Sequence, residues 1–209
     1  MIDQQILVIG PPGCGKSTLA REIFKAHLRE GRIILAHDPF KEFLYLGRRA
    51  DDIEVVRRTI ENAARTGQRV NRGWSIGGVD ADPVTQYAME LGPKAGRVVD
   101  LILDETVLLT ESHPTYVAKR DRVLLTGRRH YNICPILLAQ DPGVLSALWL
   151  RFATQCCLFR LVDRERLKRL GKLLSVANIE RAVDLPDYQY LVLIPGTDAR
   201  DAEVHSTKR

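Results

Sequence analysis

The sequence contains no apolar run near the ~18 residues that a membrane-crossing helix needs. Its first residues, Met1-Ile2-Asp3-Gln4-Gln5, lack the basic flank and apolar stretch of a secretory signal. Both absences point to a protein of the cytoplasm with no membrane span. Cysteine is scarce: Cys14, Cys134, Cys156 and Cys157 form no Cys-x-x-Cys pair and have no histidines at zinc-finger spacing. That argues against a structural metal, and the last three lie in apolar runs where cysteine packs as a small hydrophobe. Repeats, low-complexity tracts and linkers are also missing. Neither charge sign dominates: 31 Lys and Arg stand against 26 Asp and Glu, a net +5. Such a mild excess suits a polyanionic partner and suits a solvated basic surface equally well.

What is present is an ordinary globular composition, 45% hydrophobic and 27% charged, in 209 residues, enough for a single domain over 1–209. Six short apolar runs read as strands: Ile6–Ile9, Arg32–His37, Val98–Leu103, Ile133–Ala139, Gln155–Val162 and Tyr188–Ile194. Most lack alternation, as strands buried on both faces of a mainly parallel sheet do. Between them, helices are expected over Lys16–Glu30, Asp51–Arg65, Thr115–Leu125 (ending near Gly127) and Asp163–Leu174. The segment Gly67–Gly78 reads as a loop, an extra strand or both. Residues 195–209 read as a C-terminal extension past the last strand. Alternating strands and helices predict an α/β fold with helices on both faces of the sheet.

The strongest chemical signal is Gly10-Pro11-Pro12-Gly13-Cys14-Gly15-Lys16-Ser17-Thr18, set between a strand and a helix. Glycines 10, 13 and 15 permit backbone conformations that turn successive N–H groups onto phosphate oxygens. The helix start adds unpaired donors and a favourable dipole. Lys16 is expected to reach the β- and γ-phosphates of ATP, and the Ser17 hydroxyl to bind Mg²⁺. Thr18, Pro11 and Pro12 are expected to shape the loop. The run Val98–Glu105 is an apolar strand ending in two carboxylates, with Asp104 the candidate for the Mg²⁺ shell and Glu105 the candidate base for the attacking water. Asp100, in mid-strand, is the weaker metal candidate. Ile133–Gln140 is a second apolar strand ending in a polar side chain, and taken alone Gln140 reads best as the start of a Gln-Asp-Pro-Gly turn.

Asp104-Glu105, Gly127-Arg128-Arg129-His130-Tyr131-Asn132-Ile133 and Leu137-Leu138-Ala139-Gln140-Asp141-Pro142 together resemble the FtsK–HerA superfamily of ring-forming DNA translocases. His37-Asp38-Pro39 is similar to that family's Asp-Pro after the second strand. Within it, the small size looks most like the genome-packaging ATPases of tailless icosahedral double-stranded DNA viruses. The resemblance covers roughly residues 5–162, and the bulky His130-Tyr131 departs from the small residues common there. It implies a RecA-like P-loop core in which the glutamine-ending strand lies between the phosphate-loop strand and the acidic strand. It also implies a role for Gln140 at the γ-phosphate and a pentameric or hexameric ring with nucleotides at subunit boundaries. Arg128 or Arg129 would then act on the next subunit's nucleotide. Double-stranded DNA is the implied partner, with a capsid or portal protein, in the host cytoplasm or the virion.

The basic residues of Arg160–Lys172 form an outer face that could meet DNA phosphates, a neighbouring subunit or solvent. Trp74 and Trp149 read as core or interface aromatics. Three rivals share the phosphate loop: an AAA+ protein, which should carry a helical lid domain; a nucleotide or small-molecule kinase, which should carry an acceptor site; and an assembly factor that binds nucleotide without hydrolysis.

Overall fold

The computed structural model describes residues 4–38, 41, 43, 48–67, 72–77, 81–104, 119–143 and 145–207. Among them nine strands form one sheet: β1 (Ile6–Ile9), β2 (Ile33–His37), β3 (Arg48–Ala50), β4 (Gly73–Ile76), β5 (Val99–Leu103), β6 (Ile133–Ala139), β7 (Gln155–Phe159), β8 (Gln189–Leu193) and β9 (Val204–Ser206). Their spatial order is β3-β4-β2-β5-β6-β1-β7-β8-β9. Pairing is parallel from β3 to β7 and antiparallel at the β7–β8 and β8–β9 steps. The glutamine-ending strand β6 does lie between β1 and β5.

Alternate residues of the central strands feed two apolar layers. Leu7, Ile9, Leu35, Leu101 and Leu137 face one, where the helices α2 (Ile53–Thr66), α3 (Asp82–Ala95), α4 (Lys119–Tyr131), α5 (Ala147–Arg151) and α6 (Arg164–Leu174) pack. Ile6, Val8, Ile34, Ile102 and Ile136 face the other, beneath Leu19, Ala20 and Phe24 of α1 (Lys16–Arg29). Each large side chain so buried contributes about 1.5–3 kcal/mol, and strands apolar on both faces are what the unbroken hydrophobic runs predict. Both tryptophans are buried in the first layer. The fold is the expected RecA-like α/β core.

Three departures have physical causes. No helix is expected over residues 82–95, whereas α3 occupies them, with Pro83 in the first turn, where a missing N–H costs nothing, and Gly92-Pro93, of low helix propensity, near its end. The helix α4 does not stop at Gly127 but continues to Tyr131, and the left-handed Asn132 (φ 56°) ends it. Gly127 serves packing instead: a Cβ there would lie 2.7 Å from the Tyr131 ring. The chain beyond Pro195 is not an extension past the sheet but returns as β9, antiparallel to β8.

Asp100 is fully buried near the N-terminal end of the central strand β5, opposite the strand ends that face the phosphate loop. Its carboxylate meets His27 Nδ1 at 2.7 Å and accepts from Arg32 Nη1 at 3.2 Å, which accounts for a charge inside a strand. It is a structural anchor for α1 and not a metal partner. Among the described residues no helix is long and apolar enough to cross a membrane.

Candidate functional site

The phosphate loop leaves β1 at Gly10, whose N–H donates to Ala139 O of β6 at 3.1 Å. The loop is thereby stitched to the strand that delivers Gln140. A Cβ on Gly10 would come within 2.6 Å of Phe159 and 2.8 Å of Cys14 Sγ, so only glycine fits the approach to β7. At Gly15 the backbone is left-handed (φ 107°) as it enters α1. Lys16 Nζ donates to Gly10 O at 2.8 Å and Pro11 O at 2.9 Å, folding the ammonium over the loop. Burial pushes the Cys14 thiol up from its ordinary range despite the opposing pull of Lys16, so it stays protonated at neutral pH.

A cavity of ≈ 280 Å³ opens over this loop. Pro12, Gly13, Gly15, Lys16, Ser17 and Thr18 form its floor, and Asp104 and Gln140 reach it from the ends of β5 and β6. Three adjacent parallel strands, β5, β6 and β1, thus deliver the acid, the amide and the loop to one point. Gln140 is the start of the expected turn and also a wall of the cavity. Ser17 and Asp104 offer a hydroxyl and a carboxylate in the same space, oxygen donors that suit a hard divalent cation such as Mg²⁺. Glu105 lies outside the described residues.

Two wall residues have no counterpart among the motifs of the sequence: Tyr188 and Thr207. Tyr188 was expected to open a strand. It sits instead in a turn (Gln189 N to Pro186 O, 3.2 Å) with a left-handed backbone, φ 63°. Thr207 follows β9 and bonds through both its N–H (2.9 Å) and its hydroxyl (3.2 Å) to Tyr188 O. Its Oγ1 stands 2.6 Å from where a Cβ on Gly15 would be, so the end of the chain closes directly on the phosphate loop. Only the antiparallel return of β8 and β9 brings the two residues there. A neighbouring groove of ≈ 390 Å³, lined in part by Gly13, Leu161, Val162 and Tyr188, continues the cavity outward.

Arg128 and Arg129 are not brought to this cavity. They lie in the last turn of α4, just before β6 begins, whereas the cavity lies beyond its end. At roughly 3.3 Å per residue the two ends of β6 are about 20 Å apart. Arg128 is buried (7% exposed), stacked over the Phe152 ring at 5.6 Å, and donates to Leu125 O at 2.7 Å. Burial lowers its pKa. Arg129 is exposed.

The basic face of α6 is also partly committed. Arg166 pairs with Asp141 at 2.6 Å, and Arg169 donates to Gly143 O at 2.6 Å. Arg164 and Lys172 are exposed. Asp38 is buried, taking Ser75 Oγ at 2.6 Å and Phe43 N at 3.0 Å, and so orders the chain after β2.

A family model for the ATPase family associated with various cellular activities (AAA) matches residues 6–68, a stretch that holds β1, the phosphate loop and the chain through α2. No curated protein sequence matches the chain. Among solved structures, the genome packaging NTPase B204 from Sulfolobus turreted icosahedral virus 2, in complex with AMPPCP, is similar at TM-score 0.78 and 19% identity, over 98% of this chain and 97% of that one. B204 of Sulfolobus turreted icosahedral virus, described as a DNA-packaging ATPase, matches at TM-score 0.67 and 18% identity, over 99% and 98%. VirB4 of Thermoanaerobacter pseudethanolicus matches at TM-score 0.62 and 10% identity, over 92% and 87%. At these identities the likeness is one of fold, and it extends over nearly the whole chain.

Proposed function

We propose that this chain is a Mg²⁺-dependent ATPase that assembles into a pentameric or hexameric ring and moves double-stranded DNA, packaging a viral genome into a capsid. The observation that carries the proposal is the convergence of Lys16, Ser17, Asp104 and Gln140 on one cavity over the phosphate loop. The full-length likeness in fold to viral packaging NTPases supports the choice of DNA as cargo and of a capsid or portal vertex as docking partner, in the host cytoplasm or the virion.

In this mechanism the loop N–H groups and Lys16 bind the triphosphate. Ser17 and Asp104 would hold Mg²⁺, and the ion would supply positive charge beside the phosphates. Glu105 takes a proton from the attacking water. The water oxygen bonds to the γ-phosphorus, the bond to the β–γ bridging oxygen breaks, and ADP leaves with the electron pair. The Gln140 amide orients the water or registers loss of the γ-phosphate. An arginine of the adjacent subunit, the exposed Arg129 in preference to the buried Arg128, offsets charge on the equatorial oxygens.

The match over residues 6–68 favours an AAA+ protein as the second reading. Such a protein needs a helical lid after its core, whereas here the described chain after β7 passes through α6 and a short 3₁₀ helix (Ile179–Asp184) into β8 and β9.

Phosphate release measured with and without duplex DNA of unrelated sequences tests the proposal, with stimulation by DNA expected. Lys16→Ala should weaken nucleotide binding. Glu105→Gln should keep binding and Mg²⁺ while suppressing turnover, and Asp104→Asn should lower turnover and Mg²⁺ dependence together. Wild-type turnover in Glu105→Gln would remove the hydrolytic mechanism. Stimulation by a mononucleotide acceptor but not by DNA would favour a kinase.

A further inference from the structure

Gln140 stands at the junction of β6 with the connecting segment to α5, whose described residues are 140–143, 145 and 146. Inside the segment, Gly143 N–H donates to Asp141 Oδ1 at 2.6 Å and Leu145 N–H to Pro142 O at 3.4 Å. From outside it is held by α6. Arg169 spreads its guanidinium over two carbonyls, Nη1 to Gly143 O at 2.6 Å and Nη2 to Leu145 O at 3.4 Å. Arg166 meets Asp141 Oδ2 at 2.6 Å and is steadied by its Nε on Asp163, the residue that caps α6.

We infer that Arg166 and Arg169 are positioning residues for Gln140, a two-point clamp from α6 that sets where the amide stands in the phosphate cavity. The inference rests on the role given to Gln140 above. A half-exposed ion pair such as Arg166–Asp141 adds little to global stability, so stability alone is a weak reason for two arginines converging on one short segment. Position is a stronger one, because a displacement of about 1 Å in a reacting assembly costs on the order of 10²-fold in rate. A lysine at 169 would bring one nitrogen where the guanidinium sets two, Nη1 and Nη2, in a rigid plane on carbonyls two residues apart, so the exchange is not conservative.

The test uses the full chain with MgATP. Arg166→Gln with Arg169→Gln should lower kcat roughly 10- to 100-fold, while the dissociation constant for MgATP and the melting temperature stay near parental values. Arg169→Lys should not restore the rate. Exchanging the charges, Asp141→Arg with Arg166→Asp, should recover part of the loss seen for Arg166→Asp alone. In a Gln140→Ala background the clamp substitutions should cause no further loss, because the clamp acts through that side chain. Losses that multiply with Gln140→Ala, or that fall equally on affinity, rate and melting temperature, would overturn the inference. Amide hydrogen exchange decides independently of activity: residues 141–146 should lose protection in the double variant while the phosphate loop keeps it. If the parent hydrolyses no nucleotide, the proposed function fails by itself. Unchanged exchange in residues 141–146 would then reject the clamp, and lost protection would retain it.

Discussion

Arg128 and Arg129 are adjacent in sequence and opposite in surroundings. Arg128 turns inward over Phe152, and burial lowers its pKa. Arg129 faces outward from the same helical turn. Truncating Arg128 should therefore cost about 1–3 kcal/mol in urea unfolding through lost packing. Arg129→Ala should leave stability within about 0.5 kcal/mol. With the cavity some 20 Å away in its own subunit, Arg129 has a catalytic part only at a neighbour's nucleotide, where such a group is worth ~10³–10⁵ in rate. Mixing Arg129→Ala with Glu105→Gln, each inactive alone, should restore turnover. Confirmed subunit exchange without recovery would remove Arg129 from the site. The sequence presents the pair as equivalent candidates, because which side of α4 faces the core depends on how far the helix continues past Gly127.

At the scale of elements, α3 crosses closely over the end of α4. A Cβ on Gly92 would lie 1.9 Å from Tyr131 O, a backbone atom that cannot rotate aside. The Gly-Pro pair, of low helix propensity, is thus a contact device. Gly92→Ala should destabilise the fold by about 1–3 kcal/mol, the usual cost of overpacking. Because the crossing lies by the N-terminal end of β6, and the phosphate loop lies beyond the opposite strand ends, MgATP affinity at low temperature should be unchanged. Parental stability in urea would mean that the helices separate freely. The same crossing explains why α3 is illegible in the sequence: glycine inside a helix costs roughly 1 kcal/mol by propensity, and only the partner helix makes that worthwhile. By contrast α1, α2 and α6 were legible within a few residues. Their caps are local, as with Asp52 accepting from Glu54 N and Asp163 accepting from Glu165 N and Arg166 N.

At the scale of the whole molecule, the doubly covered sheet makes the protein sensitive to alkali. Cys134, Cys156 and Cys157 are buried in β6 and β7, and burial pushes all three thiols up, Cys157 to about 12. The folded state therefore keeps protons that the unfolded chain releases above its ordinary thiol pKa of about 8.5. Stability is full below that value and falls as pH rises, by up to about 1.4 kcal/mol per pH unit for each thiol. Between pH of about 8 and 9.5 the three together should cost roughly 3–4 kcal/mol in urea unfolding. The variant Cys134→Ala, Cys156→Ala, Cys157→Ala should lose much less over the same interval. An equal loss would assign the alkaline sensitivity to other groups.

By itself the sequence determined whatever depends on neighbours along the chain. The phosphate loop is legible because one short peptide must wrap one phosphate, so Gly10, Gly15, Lys16 and Ser17 stand at fixed spacing. The α/β alternation is legible because strands buried on both faces are apolar throughout, and Asp104 and Gln140 are legible as polar side chains at the ends of such strands. The tertiary structure decided what depends on distance in space. It brought Tyr188 and Thr207 to the cavity through the antiparallel return of β8 and β9. It turned two arginines of α6 from an outer basic face into ties on the segment behind Gln140. It also set Arg128 inside and Arg129 outside. None of these leaves a local pattern, because each contact joins residues whose meeting is settled by sheet order and helix packing, not by spacing in the chain.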